Sequence, residues 1–279
     1  MHPLDGPYLK LLRAKQHLKA IQTLAEWLKK NHPYRIVQGV VGEGHAREHV
    51  VRIEQTGELT PDLSLLVGDF CNELRSALDH LLWQLWLLQY PTFSEKVYFP
   101  ICDCVTQFRS NAPRNIGPRK IAGMVSSLTD NQIANIEGLQ PYRTGNPILS
   151  ILRDVNDHDK HRLIQVIVVA PRGYKIVVTF DQSSALIQIP KPKQIPVTVY
   201  RGTKIESGTI FARFPLNSIS EGTKVNVRSE IISDFAFEGS KSADGKLVKN
   251  TLNAMFIEVR RIINLFEPEF ASFGVSKFK

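Results

Sequence analysis

The stretch that decides the fold runs from Leu63 to Leu88 and reads LSLLVGDFCNELRSALDHLLWQLWLL. Its apolar residues recur at intervals of three and four, which is the spacing of one face of an α-helix. The opposite face of that helix carries Asn72, Arg75, Asp79, Trp83 and Trp86. An ordinary surface helix would not place two tryptophans beside its polar residues. We therefore expect the second face to be covered too, with Arg75 and Asp79 paired at their i, i+4 spacing.

The same spacing predicts further helices before and after this one. They cover residues 8–31, 133–139, 147–155 and 247–266. Thr60 stands before Pro61, and Thr129 stands three residues before Gln132, two arrangements that favour the start of a helix. We expect the final helix to pack on the first helical layer, which would bring the two chain ends together.

Strand-like sequence occupies two places in the chain. Residues 34–41 and 49–55, joined by Gly42-Glu-Gly44, predict a β-hairpin. Segments rich in Val, Ile, Thr and Phe follow later, at residues 163–170, 174–180, 185–189, 196–200, 208–214 and 224–237. The chain is therefore predicted to be α+β, a helical bundle with a hairpin near the N-terminus and an antiparallel β region inserted before the last helix.

This reading divides the chain into three parts. Residues 1–162 form a mainly helical domain that contains the hairpin at 34–55, and residues 163–238 form the antiparallel β region. Residues 247–267 form a C-terminal helix that packs back on the helical layer.

Composition indicates a cytoplasmic protein without membrane association. Of 279 residues, 43% are apolar and 22% are charged, which is enough to build a core. The first eight residues have neither the basic start nor the apolar run of a signal peptide. The most apolar helix carries Asp69, Glu73 and Arg75, so it is not a transmembrane span. An odd number of cysteines, three, is consistent with reduced thiols.

The net charge of +8 permits contact with nucleic acid. The basic residues are densest between Arg172 and Lys204, where six of them stand against the single acid Asp181. Aromatic residues are not interleaved with them as in a base-stacking platform. The basic residues therefore form either a solvated surface or a face that binds nucleic acid. The candidate partners of the chain are RNA and a second copy of itself.

Two polar clusters carry the candidate chemistry. The first lies between Arg75 and His80, and the second between Arg153 and Arg162. Their histidines suit the general-base step of metal-independent phosphodiester cleavage, because the ordinary histidine pKa lies near neutrality. His161 is preferred to His80 for this role, because it lies at a junction between a helix and a strand.

The other residues of the clusters would support that histidine. Arg75 or Lys160 would hold the phosphate, and Asp79 or Asp157 would orient the imidazole or the arginine. The predicted catalytic set is His161, His80, Arg75 and Asp79, and the predicted substrate-binding set is Asn156, Asp157, Lys160 and Arg162. We expect Arg75 or Asp79 to contact the segment 156–162 by a hydrogen bond or an ion pair.

Two other interpretations of the clusters stay open. Arg75, Asp79, Asn156 and Asp157 would form a structural polar tie between two helices, with His161 and Arg162 capping the turn into the strand. Alternatively, the run from Asp157 to His161 has the side-chain types of metal ligands. No second motif has a recognised metal spacing, so no metal and no cofactor are expected.

Arg75-x4-His80 and Arg153-x4-His158 resemble the Arg-x4–6-His pattern of the HEPN superfamily. These are helical-bundle proteins that include many metal-independent ribonucleases of toxin and defence systems. The resemblance implies ribonuclease activity, whereas a non-catalytic binding or scaffold protein is the alternative.

Four motifs also resemble a group of uncharacterised bacterial proteins. They are Leu78–Leu81, Phe99–Ile101, Leu139–Tyr142 and Asp159–Arg162. This likeness spans roughly residues 60–165, and it implies no particular activity.

Overall fold

The structure is a computed structural model, and it describes residues 2–31, 34–56, 61–89, 97–109, 128–169, 174–181, 198–199, 207–216, 224–231 and 234–279. The chain forms two compact units. The helical unit comprises residues 1–24, 61–166 and 237–279, and the β unit comprises residues 25–60 and 167–236. The predicted strand at 185–189 and the predicted cap at Thr60 lie outside the described residues.

Within the described residues there are seven α-helices, and the five longest lie close to segments that the sequence predicts. The seven helices are α1 (Asp5–Asn31), α2 (Asp62–Gln89), α3 (Val105–Arg109), α4 (Asp130–Gly138), α5 (Pro141–Thr144), α6 (Ile148–Asp159) and α7 (Val248–Leu265). The predicted start of α4 is confirmed, because the Thr129 hydroxyl accepts from the Gln132 amide and the Gln132 side chain accepts from the Thr129 amide.

The second face of α2 is covered in part, because Arg75, Asp79 and Trp83 are half-buried and Trp86 is buried, whereas Asn72 is exposed. The apolar stripe of α2, which includes Phe70, Leu74 and Leu78, is fully buried. On the other face Trp86 is 5% exposed and the Arg75 side chain 16% exposed. A helix of this kind lies at the centre of its unit, because both of its faces are at least partly covered.

The two chain ends meet at α1, which confirms the expected packing of the final helix. The Tyr8 hydroxyl bonds with Asn264 at 3.1 Å and donates to Glu267. The Ser276 hydroxyl donates to Asp5 at 2.7 Å. The last helix therefore closes the helical unit against the first.

Antiparallel strands build the β unit and its connections. A four-stranded sheet has the order β1-β2-β6-β5, and β4 pairs with β7 and β3 with β8. The strands are β1 (Tyr34–Val41), β2 (Glu48–Gln55), β3 (Gln165–Val169), β4 (Tyr174–Asp181), β5 (Thr198–Val199), β6 (Ile210–Pro215), β7 (Lys224–Ile231) and β8 (Asp234–Glu238). The α+β class is thus confirmed.

Two observations differ from the predicted division of the chain. The hairpin 34–55 groups with residues 167–236, and its strand β2 pairs with β6. The predicted segment 224–237 is two strands, β7 and β8, in different sheets. Pairing between distant strands depends on edge hydrogen bonds that leave no local pattern in the sequence. Within the described residues, no helix combines the length and the apolar character needed to cross a bilayer.

Candidate functional site

Arg75 and Asp79 form the expected pair on α2, and together they hold the backbone of Phe99. The Arg75 Nη2 and the Asp79 Oδ1 are 3.1 Å apart, in side chains 16% and 20% exposed. The same nitrogen donates to the Phe99 carbonyl at 2.6 Å, and the Phe99 amide donates to the same oxygen at 2.8 Å. Both backbone polar groups of Phe99 are therefore satisfied by this pair.

Gln140 holds the next part of the same segment. Its side-chain nitrogen donates to the Pro100 carbonyl at 3.1 Å and to the Ile136 carbonyl at 2.8 Å. Its side-chain oxygen accepts from the Cys102 amide at 2.9 Å. The residue is completely buried, so these three bonds replace contacts with water.

Arg153 on α6 holds the end of the segment. Its guanidinium donates to the Ile101 carbonyl at 3.1 Å and to the Asp103 carboxylate at 2.7 Å. It also donates to Asp154 at 2.7 Å. Asp103 in turn accepts from the Ser150 hydroxyl.

These side chains clamp residues 97–103, which have no regular secondary structure. We call this stretch the clamped segment. Phe99, Ile101 and Cys102 are buried, so their backbone groups need partners that a helix or sheet would otherwise supply. Three of the four sequence motifs meet here, since Asp79, Phe99 and Gln140 belong to one motif each. The chemical role of this polar cluster is therefore to form hydrogen bonds with main-chain groups of the clamped segment.

The surroundings of the Asp79 carboxylate shift its pKa in opposing directions. Burial raises its pKa, and the charge of Arg75 and the Phe99 amide act in the opposite direction. Arg75 still has one buried nitrogen, Nη1, without a hydrogen-bond partner in the described structure.

The second cluster is largely exposed to solvent. Asp157 and Lys160 form an ion pair of 3.4 Å, with side chains 61% and 53% exposed. His161 and Arg162 are exposed at the end of α6. By contrast, Asn156 is 2% exposed and its side-chain nitrogen is buried without a hydrogen-bond partner among the described residues, and Arg153, Asp154, His158 and Asp159 are half-buried.

The predicted direct contact between the clusters is not formed among the described residues. Arg75 and Asp79 bond to Phe99, and the remaining link is the charge of Lys160, which lowers the pKa of Asp79. The physical reason lies in the register of α6 on α2. A Cβ on Gly68 would lie 2.3 Å from the Asp159 carboxylate, so the end of α6 packs near the start of α2.

His80 and Arg75 face different elements. The His80 Nδ1 lies 3.1 Å from the position of a Cβ on Gly6, so the ring leans over α1. Burial and the charge of Lys10 lower the pKa of His80, while Asp79 and Glu73 raise it. Lys10 itself pairs with Glu73 at 2.9 Å.

Sequence reasoning missed Gln140 and the role of Arg153. Gln140 could have been found from its motif alone, but no local pattern shows which main-chain groups it holds. Among the described residues, no three His, Cys, Asp or Glu side chains are grouped so that they could hold a metal ion. Comparison of the chain with protein-family models, curated proteins and solved structures finds no match.

Proposed function

We propose that this chain is a non-catalytic binding protein and that its Arg75–Asp79 cluster is structural. One observation carries the proposal: both side chains bond to the backbone of Phe99. A ribonuclease of the Arg-x4-His kind needs its arginine and histidine to act on one phosphate. Here Arg75 faces the clamped segment, whereas His80 leans over α1.

The partner that best fits the charges is single-stranded RNA. Lys160, His161 and Arg162 are consecutive and exposed, in a chain with a net charge of +8. Cations of this kind bind phosphates and displace condensed counterions, which makes binding sensitive to salt. The sequence between Arg172 and Lys204 is also basic.

The test measures binding and cleavage in one experiment. Fluorescein-labelled single-stranded RNA is titrated with protein at several salt concentrations, and its length is then checked on a gel. We expect salt-dependent binding, intact RNA, and a salt slope reduced by about 1.4 in the Lys160→Gln/Arg162→Gln variant, because each phosphate contact on a single strand contributes about 0.7.

The matched control removes the same charge elsewhere. Arg35 and Arg261 are exposed and each is paired with a glutamate, so Arg35→Gln/Arg261→Gln should leave the slope closer to wild type. Equal losses in the two double variants would show that net charge alone attracts the RNA. No binding by wild type at low salt would refute the RNA partner.

The second candidate is a metal-independent, HEPN-like ribonuclease of a toxin or defence system. The exposure of His161 between Lys160 and Arg162 favours it, because an imidazole there can reach an RNA phosphate bound by its neighbours. Cleavage by wild type that survives EDTA, is lost in His161→Ala and persists in His80→Ala would replace the binding proposal. Circular dichroism serves as the folding control.

A further inference from the structure

The β unit contains a cavity that neither polar cluster explains. It is an open pocket with a volume of about 470 Å³, and the described residues that line it are Arg52, Glu54, Ser207, Gly208 and Ile210. That volume lies within the range of pockets that bind small molecules, roughly 300–1,000 Å³. Lining of this kind, with both charges present, is typical of a site for a polar ligand.

An irregularity in the sheet lies beside this cavity. The pairing of β2 with β6 shifts register between Val51 and Arg52. Beyond the shift, the Gly208 amide donates to the Ile53 carbonyl at 2.7 Å, and Gly208 has a φ of +88° that favours glycine. A bulge of this kind re-aims side chains and recurs near functional sites.

Within the described residues, Arg52 differs from the other half-buried arginines, because it has no hydrogen-bond or ion-pair partner. Arg52, Arg75 and Arg153 are the half-buried arginines of the described residues. Arg75 and Arg153 each bind a carbonyl and a carboxylate. Arg52 has no hydrogen bond or ion pair within the described residues, and its Nε is buried without a partner. A buried N–H without an acceptor is unfavourable, and the two Nη nitrogens of Arg52, which are not among the buried polar atoms, can donate to a ligand.

The acidic residue of the cavity does not supply that acceptor. Arg35 donates to one oxygen of Glu54 from its Nε at 3.1 Å and from its Nη2 at 2.8 Å. These two hydrogen bonds balance the charge of the Glu54 carboxylate and hold its side chain toward Arg35 on β1. The uncompensated charge in the cavity is therefore positive.

We propose that this cavity binds a small organic anion, whose carboxylate or phosphate group accepts hydrogen bonds from Arg52. Guanidinium matches either group through two parallel hydrogen bonds. The cavity is larger than an inorganic ion requires, so the remainder of the ligand would fill the space toward Gly208 and Ile210. This site is independent of the RNA proposal.

The test uses the full chain and two probes, citrate for carboxylates and ribose 5-phosphate for phosphates. Binding is measured by calorimetry, and the amide of Gly208 and the Nε of Arg52 are followed by NMR. We expect at least one probe to bind and to shift both signals. Arg52→Gln should weaken that binding at least about tenfold, and Arg52→Lys less, because lysine keeps the charge but not the paired donors.

The control is Arg213→Gln, which removes the same charge from β6. Arg213 is 44% exposed and pairs with Glu48 outside the cavity lining, so binding should not change. Equal weakening in the two glutamine variants would overturn the proposal. So would the failure of both probes to bind wild type below about 10 mM, or binding that leaves the Gly208 signal unmoved.

Discussion

Replacing Asp79 with alanine should destabilise the protein strongly, because we propose that this residue has a structural role. The substitution removes the acceptor of the Phe99 amide and the ion-pair partner of Arg75 at once. The clamped segment would then keep an unpaired amide at Phe99, and Arg75 would keep a single acceptor, the Phe99 carbonyl.

The magnitude follows from the burial of the pair. Removing one partner of a buried ion pair costs about 3–5 kcal/mol, and a hydrogen bond to a charged group contributes about 1.5–3 kcal/mol. The two side chains are 16% and 20% exposed, so water can partly solvate the Arg75 that remains. We therefore expect a loss near the lower limit, about 3 kcal/mol in the free energy of unfolding, or roughly 6–12 °C in Tm.

Urea denaturation followed by circular dichroism measures this loss, with two variants for comparison. Asp79→Asn keeps an oxygen for the Phe99 amide and should lose less stability than Asp79→Ala. Asp157→Ala removes an exposed carboxylate, so its loss should stay below about 1 kcal/mol. If Asp79→Ala and Asp157→Ala unfold at the same urea concentration, the clamp does not stabilise the fold and our interpretation of the cluster is wrong.

Three further predictions concern the same unit. Gln140→Ala should lower the free energy of unfolding by about 3 kcal/mol, because it leaves the Cys102 amide buried and unpaired. Urea denaturation measures this loss, and a value under about 1 kcal/mol would contradict the prediction. Gly68→Ala should stabilise an Asp159→Ala background by about 0.5–1 kcal/mol in thermal melts, because alanine favours a helix interior. It should be less favourable in wild type, where the Asp159 carboxylate occupies the space of the new methyl group, and equal effects in the two backgrounds would contradict this. Burial and Asp69 raise the pKa of Asp159, so the contribution of this one residue to stability falls as pH rises from about 4 through that raised pKa. Asp159→Asn should therefore be more stable than wild type at pH 7 and equal to it near pH 3, and a difference that is constant with pH would contradict the assignment.

The sequence by itself determined the helices, their ends and their buried faces. The two faces of α2, the capping box before α4 and the return of α7 to α1 all follow from interactions between residues a few positions apart, or from apolar stripes that must be buried. The pairing of Arg75 with Asp79 was predictable for the same reason, because residues four apart on a helix are neighbours.

The tertiary structure alone decided what those side chains hold. Periodicity shows that a face is buried, but the identity of its partner depends on packing between segments distant in the chain. Arg75 and Asp79 were expected to contact residues 156–162, and they bind Phe99 instead, through main-chain groups that every residue carries. The pairing of β2 with β6, and with it the cavity at Arg52, is hidden for the same reason, because hydrogen bonds between strand backbones do not depend on side-chain identity.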